Sequence, residues 1–226
     1  MAMTLEQLEA EVRSLKEQVA EVARLKDQLA EAVYAKDYLE IWKLQSLYSH
    51  LYHVGRRSQL PALFAQKTPG VSLELEDSGV HEGIESITRF WTTVFDDRKI
   101  GAGHLAIHMT VNPVIEMNRD RTEARGLWHS HGYCSLPVEG VLKQFLCLGK
   151  YDMGYVKEEG QWTFLKFAYR QTFMCPYEKG WMEEPVAASI AGSPDNVPDK
   201  PTTFYMPYSR YRINAFRPGP PDPYAE

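Results

Sequence analysis

The sequence predicts an α+β fold in which helices come first and a long antiparallel sheet follows. Two observations lead to this prediction. Helical periodicity and helix-ending signals dominate the chain as far as Phe95, whereas long alternating segments separated by turn signals follow from His104 onward. Helices that precede one curved meander can cover a face of it, which is typical of α+β domains.

Composition limits the class of protein. The 226 residues, 44% of them hydrophobic, are enough for one domain with a substantial core plus extensions. A net charge of −5 without a Lys/Arg-rich run argues against nucleic acid or an anionic membrane as a partner. No apolar run approaches the roughly 18 residues of a membrane span, and the start, MAMTLEQLEAEV, is too charged for a secretory signal. Three widely spaced cysteines fit a reduced compartment, so we expect a cytoplasmic protein.

Residues 1–37 are predicted to form a coiled-coil helix. Thr4 and Gln7 have the spacing of a capping box, and a helix is expected from residue 4 to about 36. Apolar residues then repeat in heptads: Leu5, Leu8, Val12, Leu15, Val19, Val22, Leu29 and Val33. This repeat predicts a homo-oligomer, dimer or trimer, formed through the N-terminal helix and the sheet. The alternative is one amphipathic helix that packs on its own domain.

Residues 38–182 are predicted to form the globular domain. The expected helices are YLEIWKLQSLYSHLYHVG, which ends at Gly55, the short SQLPALFAQ and GIESITRFWTTVF. The expected strands are VSLEL, HLAIHMTVNPVIEMN, TEARGLWHSHGYCSL, VLKQFLCLGKYDMGYVKEEG and QWTFLKFAYRQTFM, with a turn at Arg119–Asp120.

Residues 183–226 form a third region that holds most of the fourteen prolines and several tyrosines. Proline at this density excludes a regular packed element. The segment is therefore either disordered or laid on a surface, such as that of a neighbouring subunit.

Four segments between residues 38 and about 170 resemble, in order, the motifs of one family: LYSHLYHVGRRSQLPALFAQ, VHEGIESITRFW, HMTVNPVIEMNRDRTEARGLW and YDMGYVKEEGQWTFLKF. The ordered set resembles the SnoaL-like branch of the nuclear transport factor 2-like superfamily, which includes polyketide cyclases, scytalone dehydratase and the bile-acid dehydratase. The resemblance implies a cone-shaped fold, with a curved antiparallel sheet packed on three helices around one deep, mostly apolar pocket. It also implies a small-molecule substrate and proton transfer without a cofactor, although some members only bind ligands.

The resemblance also suggests catalytic residues. His108 falls on the family's strand histidine, the usual general base or acid, and Tyr48 falls on its first-helix tyrosine, which can polarise a substrate oxygen. His53 stands where the family commonly has an aspartate. It is either a base in its own right or a solvated residue at the helix end, where an imidazolium suits the helix dipole.

Strand alternation leaves the role of His131 open. In TEARGLWHSHGYCSL, alternation places His129 and His131 opposite the face that carries Trp128 and Gly132. The acidic position of the dehydratase-like pattern falls on Gly132. Either His131 faces away from the pocket, or a bulge at Gly132 turns it inward as a substitute acid.

Five further residues are candidates for substrate binding, because aromatic walls suit an aromatic or polycyclic ligand and Tyr169 shares a face with Gln171. They are Tyr52, Trp91, Trp128, Tyr169 and Gln171.

The leading hypothesis is a cofactor-independent lyase that acts on a bulky hydroxylated aromatic or polycyclic compound, by dehydration or by retro-aldol loss of a small aldehyde. In this hypothesis His108 transfers the proton, and His53, with or without His131, assists as the complementary acid. One alternative is a non-catalytic ligand-binding or assembly module. The other is a metal-assisted enzyme, since H-x-H and H-x3-H pairs on neighbouring strands can bind zinc or iron, but we predict no metal ligands.

Overall fold

The computed structural model describes residues 4–224, and the chain divides into two compact units, Met1–Glu40 and Ile41–Glu226. The second unit contains the sheet and the proline-rich segment. Within residues 4–224, no helix combines the length and the apolar character that crossing a membrane requires.

The first helix, α1 (Leu5–His53), is continuous, whereas the sequence predicted two helices. No glycine or proline separates the two predicted segments, so nothing in the sequence breaks the helical hydrogen bonding there. The predicted capping box is confirmed: the backbone amide of Thr4 donates to Gln7 Oε1 (3.0 Å), and that of Gln7 to Thr4 Oγ1 (3.3 Å). The apolar heptad residues of α1 are exposed from Leu5 to Leu29, and Val33 is half-buried.

The remaining predicted elements appear in the predicted order, with a 3-10 helix in place of the predicted short α-helix, and three short elements that were not predicted join them: a second short strand, a 3-10 turn and a short last helix. In chain order, the elements after α1 are a 3-10 helix (Arg57–Leu63), β1 (Ser72–Leu75), β2 (Val80–Glu82), α2 (Gly83–Thr93), a 3-10 turn (Asp97–Lys99), β3 (Leu105–Met117), β4 (Glu123–Val138), β5 (Val141–Glu158), β6 (Gln161–Pro176) and the short α3 (Gly180–Glu183).

The strands form one curved, unclosed sheet in the order β2-β1-β6-β5-β4-β3. The predicted meander of β3 to β6 is antiparallel throughout. At its edge, β1 runs parallel to β6. Parallel strands need a long connection, and the chain between β1 and β6 includes a helix and three long strands.

A bulge in β3 reverses which residues of the strand point inward. The register with β4 shifts between Val111 and Val114, where Asn112 has a positive φ of 51° and Pro113 has no amide hydrogen to donate. Before the bulge, even-numbered residues such as His108 face the inner side of the sheet. After it, the odd-numbered residues are buried instead.

The proline-rich segment lies, over much of its length, against its own sheet. Val186 forms a parallel bridge with Met174 in β6, and Lys200 an antiparallel bridge with Val80 in β2. Further along, the amide of Tyr208 donates to the Thr172 carbonyl at 2.6 Å. This arrangement matches the surface-lying alternative, with the same chain providing the surface.

A buried ion pair connects β1, β6 and this segment. Arg170 Nη1 lies 2.8 Å from Glu74 Oε2, with side chains 8% and 6% exposed, and Glu74 also accepts from the amide and hydroxyl of Thr203. Burial raises the pKa of Glu74, but the hydrogen bonds from Arg170 and Thr203 outweigh it and leave the pKa below its ordinary value.

Arg170→Met is therefore expected to lower the free energy of unfolding by about 3–5 kcal/mol, because it leaves a buried carboxylate without its cation. Urea unfolding at neutral pH measures this. The control is Lys166→Met, which removes a surface pair with Asp152 (48% and 30% exposed) and should cost less than about 1 kcal/mol. Equal losses for the two variants would contradict the assignment.

Candidate active site

A cavity of about 560 Å³ opens on the inner side of the sheet, within the range of small-molecule sites. The residues that line it come from the end of α1, both 3-10 segments, the four long strands β3 to β6 and the proline-rich segment. Its apolar wall includes Val94, Phe95, Ile100, Ala106, Leu136, Leu142, Met174 and Ile190. Its ionisable side chains are Tyr52, Arg57, Glu76, Asp96, Lys99, His104, His108 and Cys134.

A second chamber of only about 30 Å³, roughly one water molecule in size, adjoins the cavity. Tyr48, Tyr151 and Tyr169 line it, and the residues that line both spaces are Tyr52, Glu76, Phe95, His108 and Ile190. We call this space the inner chamber. Its size admits a hydroxyl group but not a ring.

His108 reaches both spaces because β3 packs closely on β4. His108 pairs with Gly132 in the sheet, and a Cβ atom at Gly132 would lie 2.1 Å from the Ile107 carbonyl oxygen and 3.3 Å from His108 Nδ1. Only glycine permits this approach. The imidazole contacts the Tyr52 ring edge-on, with centroids 5.4 Å apart, and Nδ1 is buried without a hydrogen-bond partner within residues 4–224.

Glu76 reaches the cavity because of an unusual backbone conformation. It follows β1 with a positive φ of 54°, at the start of the turn into β2. Strand alternation would place it with Glu74 on the other face, and the left-handed conformation turns it inward instead. The side-chain amide of Gln171 is oriented with its nitrogen toward Glu76. This nitrogen donates to both carboxyl oxygens of Glu76, at 2.9 Å each.

The environment of Glu76 favours its neutral form. Burial, and then the negative charge of Asp77, raise the pKa of Glu76 to about 8. A carboxylic acid that keeps its proton near neutral pH can serve as a general acid.

The tyrosines of the inner chamber are hydrogen-bond donors rather than bases. Burial raises the pKa of Tyr48, Tyr151 and Tyr169 well above the ordinary value, so all three hold their protons. The Tyr169 hydroxyl is buried without a partner within residues 4–224, and is therefore free to bind a ligand oxygen.

Asp77 holds the proline-rich segment over the cavity. Its carboxylate accepts from the Ser189 hydroxyl and from the backbone amides of Ile190 (2.9 Å) and Ala191 (3.2 Å). Ile190 then lines both the cavity and the inner chamber. The segment that the sequence left unassigned thus forms part of the site wall.

Three atoms are close enough to share one metal ion: a ring nitrogen of His108 and the sulfurs of Cys134 and Cys147, all within 4.8 Å of one another. The two sulfurs are 3.1 Å apart, and the hydrogen bond from Cys147 lowers the pKa of the Cys134 thiol. The H-x-H pairs proposed from sequence do not assemble, since His129 and His131 lie on the opposite face of the sheet from His108.

Comparison with known proteins agrees with this architecture. A family model described as a SnoaL-like domain matches residues 33–168, more than half of the chain. The chain belongs to the SnoaL-like family. With that family it shares the nuclear transport factor 2-like fold, as predicted. A search of curated protein sequences finds no match.

Solved structures show the same fold at low sequence identity. A candidate scytalone dehydratase from Novosphingobium aromaticivorans DSM 12444 is 17% identical, with a TM-score of 0.53 over 69% of this chain and 97% of that one. The hexachlorocyclohexane dehydrochlorinase LinA-type3 from Novosphingobium barchaimii LL02 is 20% identical, with a TM-score of 0.51 over 63% and 91%. Identities this low establish the fold alone.

Five of the predicted site residues come together, three inside the matched range 33–168 and two, Tyr169 and Gln171, just after it. His108 and Tyr52 line both spaces, and Tyr48 and Tyr169 line the inner chamber. Gln171 lies behind them against Glu76. Their roles in binding or catalysis remain proposals.

The other predicted site residues lie outside the cavity. His53 is exposed at the end of α1, which matches its solvated alternative. His131 points away because β4 runs past Gly132 without a bulge. Trp91 and Trp128 are core residues: both are fully buried and line neither space, and Trp128 Nε1 donates to the Tyr155 hydroxyl at 2.8 Å.

Glu76 and Arg57 are among the polar residues of the cavity that were missed from sequence. Alternation in β1 predicts that the Glu76 side chain faces away from the cavity. The positive φ of Glu76 in the following turn directs it into the cavity instead. Arg57 lies in the helix-ending segment VGRRSQ, where nothing distinguishes it from its exposed neighbour Arg56. A usable signal for Glu76 was the short ELEDSG turn, which carries three acidic residues beside a glycine.

The stability of the protein should depend on pH through Glu76. Between its ordinary pKa of 4.5 and about 8, the folded state keeps a proton that the unfolded chain has released. Stability contributed by this group is thus present at low pH and is lost as the pH rises to about 8. Glu76→Gln cannot ionise, so its melting temperature should fall less over this range than that of the wild type.

Thermal unfolding from pH 5 to pH 9 measures the difference, and Glu178→Gln, at an exposed position, is the control. Parallel curves for the wild type and Glu76→Gln would show that Glu76 does not hold its proton in the fold.

Proposed function

We propose that this protein is a cofactor-independent lyase that acts by general acid/base catalysis on a bulky hydroxylated aromatic or polycyclic small molecule. The observation that carries the proposal is the pairing of an imidazole, His108, with a proton-holding carboxyl group, Glu76, in the same largely apolar cavity. Acid/base elimination needs one group that can accept a proton, here an imidazole, and one that can give a proton, here a carboxyl group.

Two reactions fit this pair. In a dehydration, His108 removes a proton from carbon while Glu76 gives its proton to the departing hydroxyl. In a retro-aldol cleavage, His108 removes a hydroxyl proton, the adjacent carbon–carbon bond breaks to release a small aldehyde, and Glu76 protonates the carbon left behind. Glu76 takes the acid role that the sequence suggested for His53 or His131.

The inner chamber provides the electrophilic contacts. Its size suits the reacting oxygen, and the hydroxyls of Tyr48 and Tyr169 are donors that can polarise it. The substrate ring then lies in the larger cavity against Tyr52 and Phe95. A dry, largely apolar wall strengthens each of these interactions.

The similar structures support a lyase. Their names include a candidate scytalone dehydratase and a hexachlorocyclohexane dehydrochlorinase. Both names denote elimination reactions.

The three free cysteines further support the reducing, cytoplasmic location that we propose.

A metal-assisted reaction is the second candidate, because His108, Cys134 and Cys147 bring three donor atoms together. Thiolate and imidazole ligands would suit zinc. Elemental analysis of the purified protein distinguishes the two: a stoichiometric metal that is lost in Cys147→Ser would replace the cofactor-independent proposal.

His108→Ala should reduce turnover by at least about 100-fold, the usual contribution of a general base. Incubation with a panel of hydroxylated two-ring and polycyclic aromatic compounds, followed by mass spectrometry for loss of water or of a small aldehyde, identifies the activity. Tyr48→Phe should lower turnover by a smaller factor than His108→Ala does. His129→Ala is the matched control, since this exposed histidine lies on the far face of the sheet.

Unchanged turnover in His108→Ala would rule out the acid/base assignment. Stable binding of panel compounds without any chemical change would instead support the alternative of a non-catalytic ligand-binding module.

We also propose that the chain self-associates through α1. The heptad residues are exposed along the first helical unit, Leu5 at 74% and Val19 at 68%, and such a stripe is stable when a second helix covers it. In light scattering after size exclusion, the wild type should be a dimer or trimer and Leu15→Glu a monomer. Ser14→Glu adds the same charge outside the stripe and should leave the assembly intact. A monomeric wild type would contradict the proposal.

A further inference from the structure

We propose that the cavity contains an anion subsite in which Arg57 binds a carboxylate or phenolate oxygen of the ligand. The subsite shares its cavity with the proposed lyase, and so deepens that proposal by naming a feature of its substrate. Its test requires no turnover.

Contacts within the cavity wall fix the Arg57 side chain. The residue begins the 3-10 helix Arg57–Leu63 and is only 5% exposed. Its guanidinium carbon lies 4.5 Å from the centre of the Tyr52 ring and 5.7 Å from that of Phe95. Stacking of this kind holds the guanidinium plane and leaves its N–H edge for hydrogen bonds.

Most N–H groups of the Arg57 guanidinium make no hydrogen bond within residues 4–224. Nη2 lies 2.9 Å from His104 Nε2, while Nε is buried and has no hydrogen-bond partner within residues 4–224. Burial, and then the charge of Arg57, lower the pKa of His104, so the imidazole is a neutral acceptor that does not compensate the cation.

No carboxylate in the described part of the chain forms an ion pair with the guanidinium. Asp97 is nearby, but its carboxylate accepts from the backbone amide of Arg57 (2.9 Å) and from Ser58. Glu76 keeps its proton up to about pH 8 and is neutral. The other cation of the cavity, Lys99, is already paired with Asp195 at 2.6 Å.

A buried cation without an anion is costly, and a ligand that supplies the anion removes the cost. The planar donor edge of arginine suits a carboxylate or a phenolate oxygen. Arg57 and His104 line only the larger cavity, whereas His108 also lines the inner chamber. The ligand would therefore carry its anionic group at one end and its reacting oxygen toward the other.

The test compares binding of 2-naphthoate and 2-naphthamide, which have the same ring and nearly the same shape but differ in charge. Isothermal titration calorimetry is performed on the full chain as the wild type, Arg57→Met and the control Arg56→Met, an exposed neighbour. We expect the wild type and Arg56→Met to bind naphthoate at least about tenfold more tightly than naphthamide, as a charge-assisted hydrogen bond implies. Arg57→Met should lose this preference and keep its affinity for naphthamide.

A second probe, 4-nitrophenol, distinguishes the two sources of the anion. If the subsite accepts phenolates, binding to the wild type but not to Arg57→Met should shift the absorption spectrum toward the phenolate form. A preference for naphthoate without this shift identifies a carboxylate subsite.

The proposal is overturned if the wild type does not bind naphthoate, or binds the two naphthalenes equally, or if Arg57→Met retains the preference. The comparison of naphthoate with naphthamide on the wild type tests the proposal even if Arg57→Met fails to fold. Failure of the lyase proposal would appear differently, as unchanged turnover in His108→Ala with the anion preference intact.

Discussion

The unbroken pairing of β3 with β4 at Gly132 is the constraint on which the candidate site depends. Because Gly132 has no side chain, β4 passes close under His108 without a bulge, and the alternation of both strands is preserved through the site. His108 and Cys134 therefore face the cavity, while His129 and His131 face the opposite side. A shift of β4 by one residue in this register would turn His129 and His131 toward the cavity and Cys134 away from it.

The site is electrostatically asymmetric. At one end Arg57 stacks on aromatic rings, and no carboxylate within residues 4–224 forms an ion pair with its guanidinium. At the other end a protonated carboxyl group, Glu76, adjoins a chamber lined by neutral phenols. Burial penalises an ionised carboxyl group and so keeps the proton on Glu76, and it leaves the charge of Arg57 in need of an anion. A ligand with an anionic end and a departing oxygen complements both features.

The proline-rich segment shows how an extension beyond the family domain can contribute to a site. The family match ends at residue 168, yet residues 188–193 form part of the cavity wall. Asp77, next to Glu76, holds them there through two backbone amides and a hydroxyl. The same turn thus positions an acid and fixes the segment that covers it.

Local patterns in the sequence determined the order of elements, the capping box at Thr4, and the inward face of β3 at His108, because alternation and capping depend only on near neighbours. They also indicated the family through four ordered motifs. The tertiary structure alone decided the rest. The absence of a bulge at Gly132 excluded His131, a positive φ turned Glu76 inward, and stacking on Tyr52 distinguished Arg57 from Arg56. Each of these depends on contacts between segments far apart in the chain, which no local pattern records.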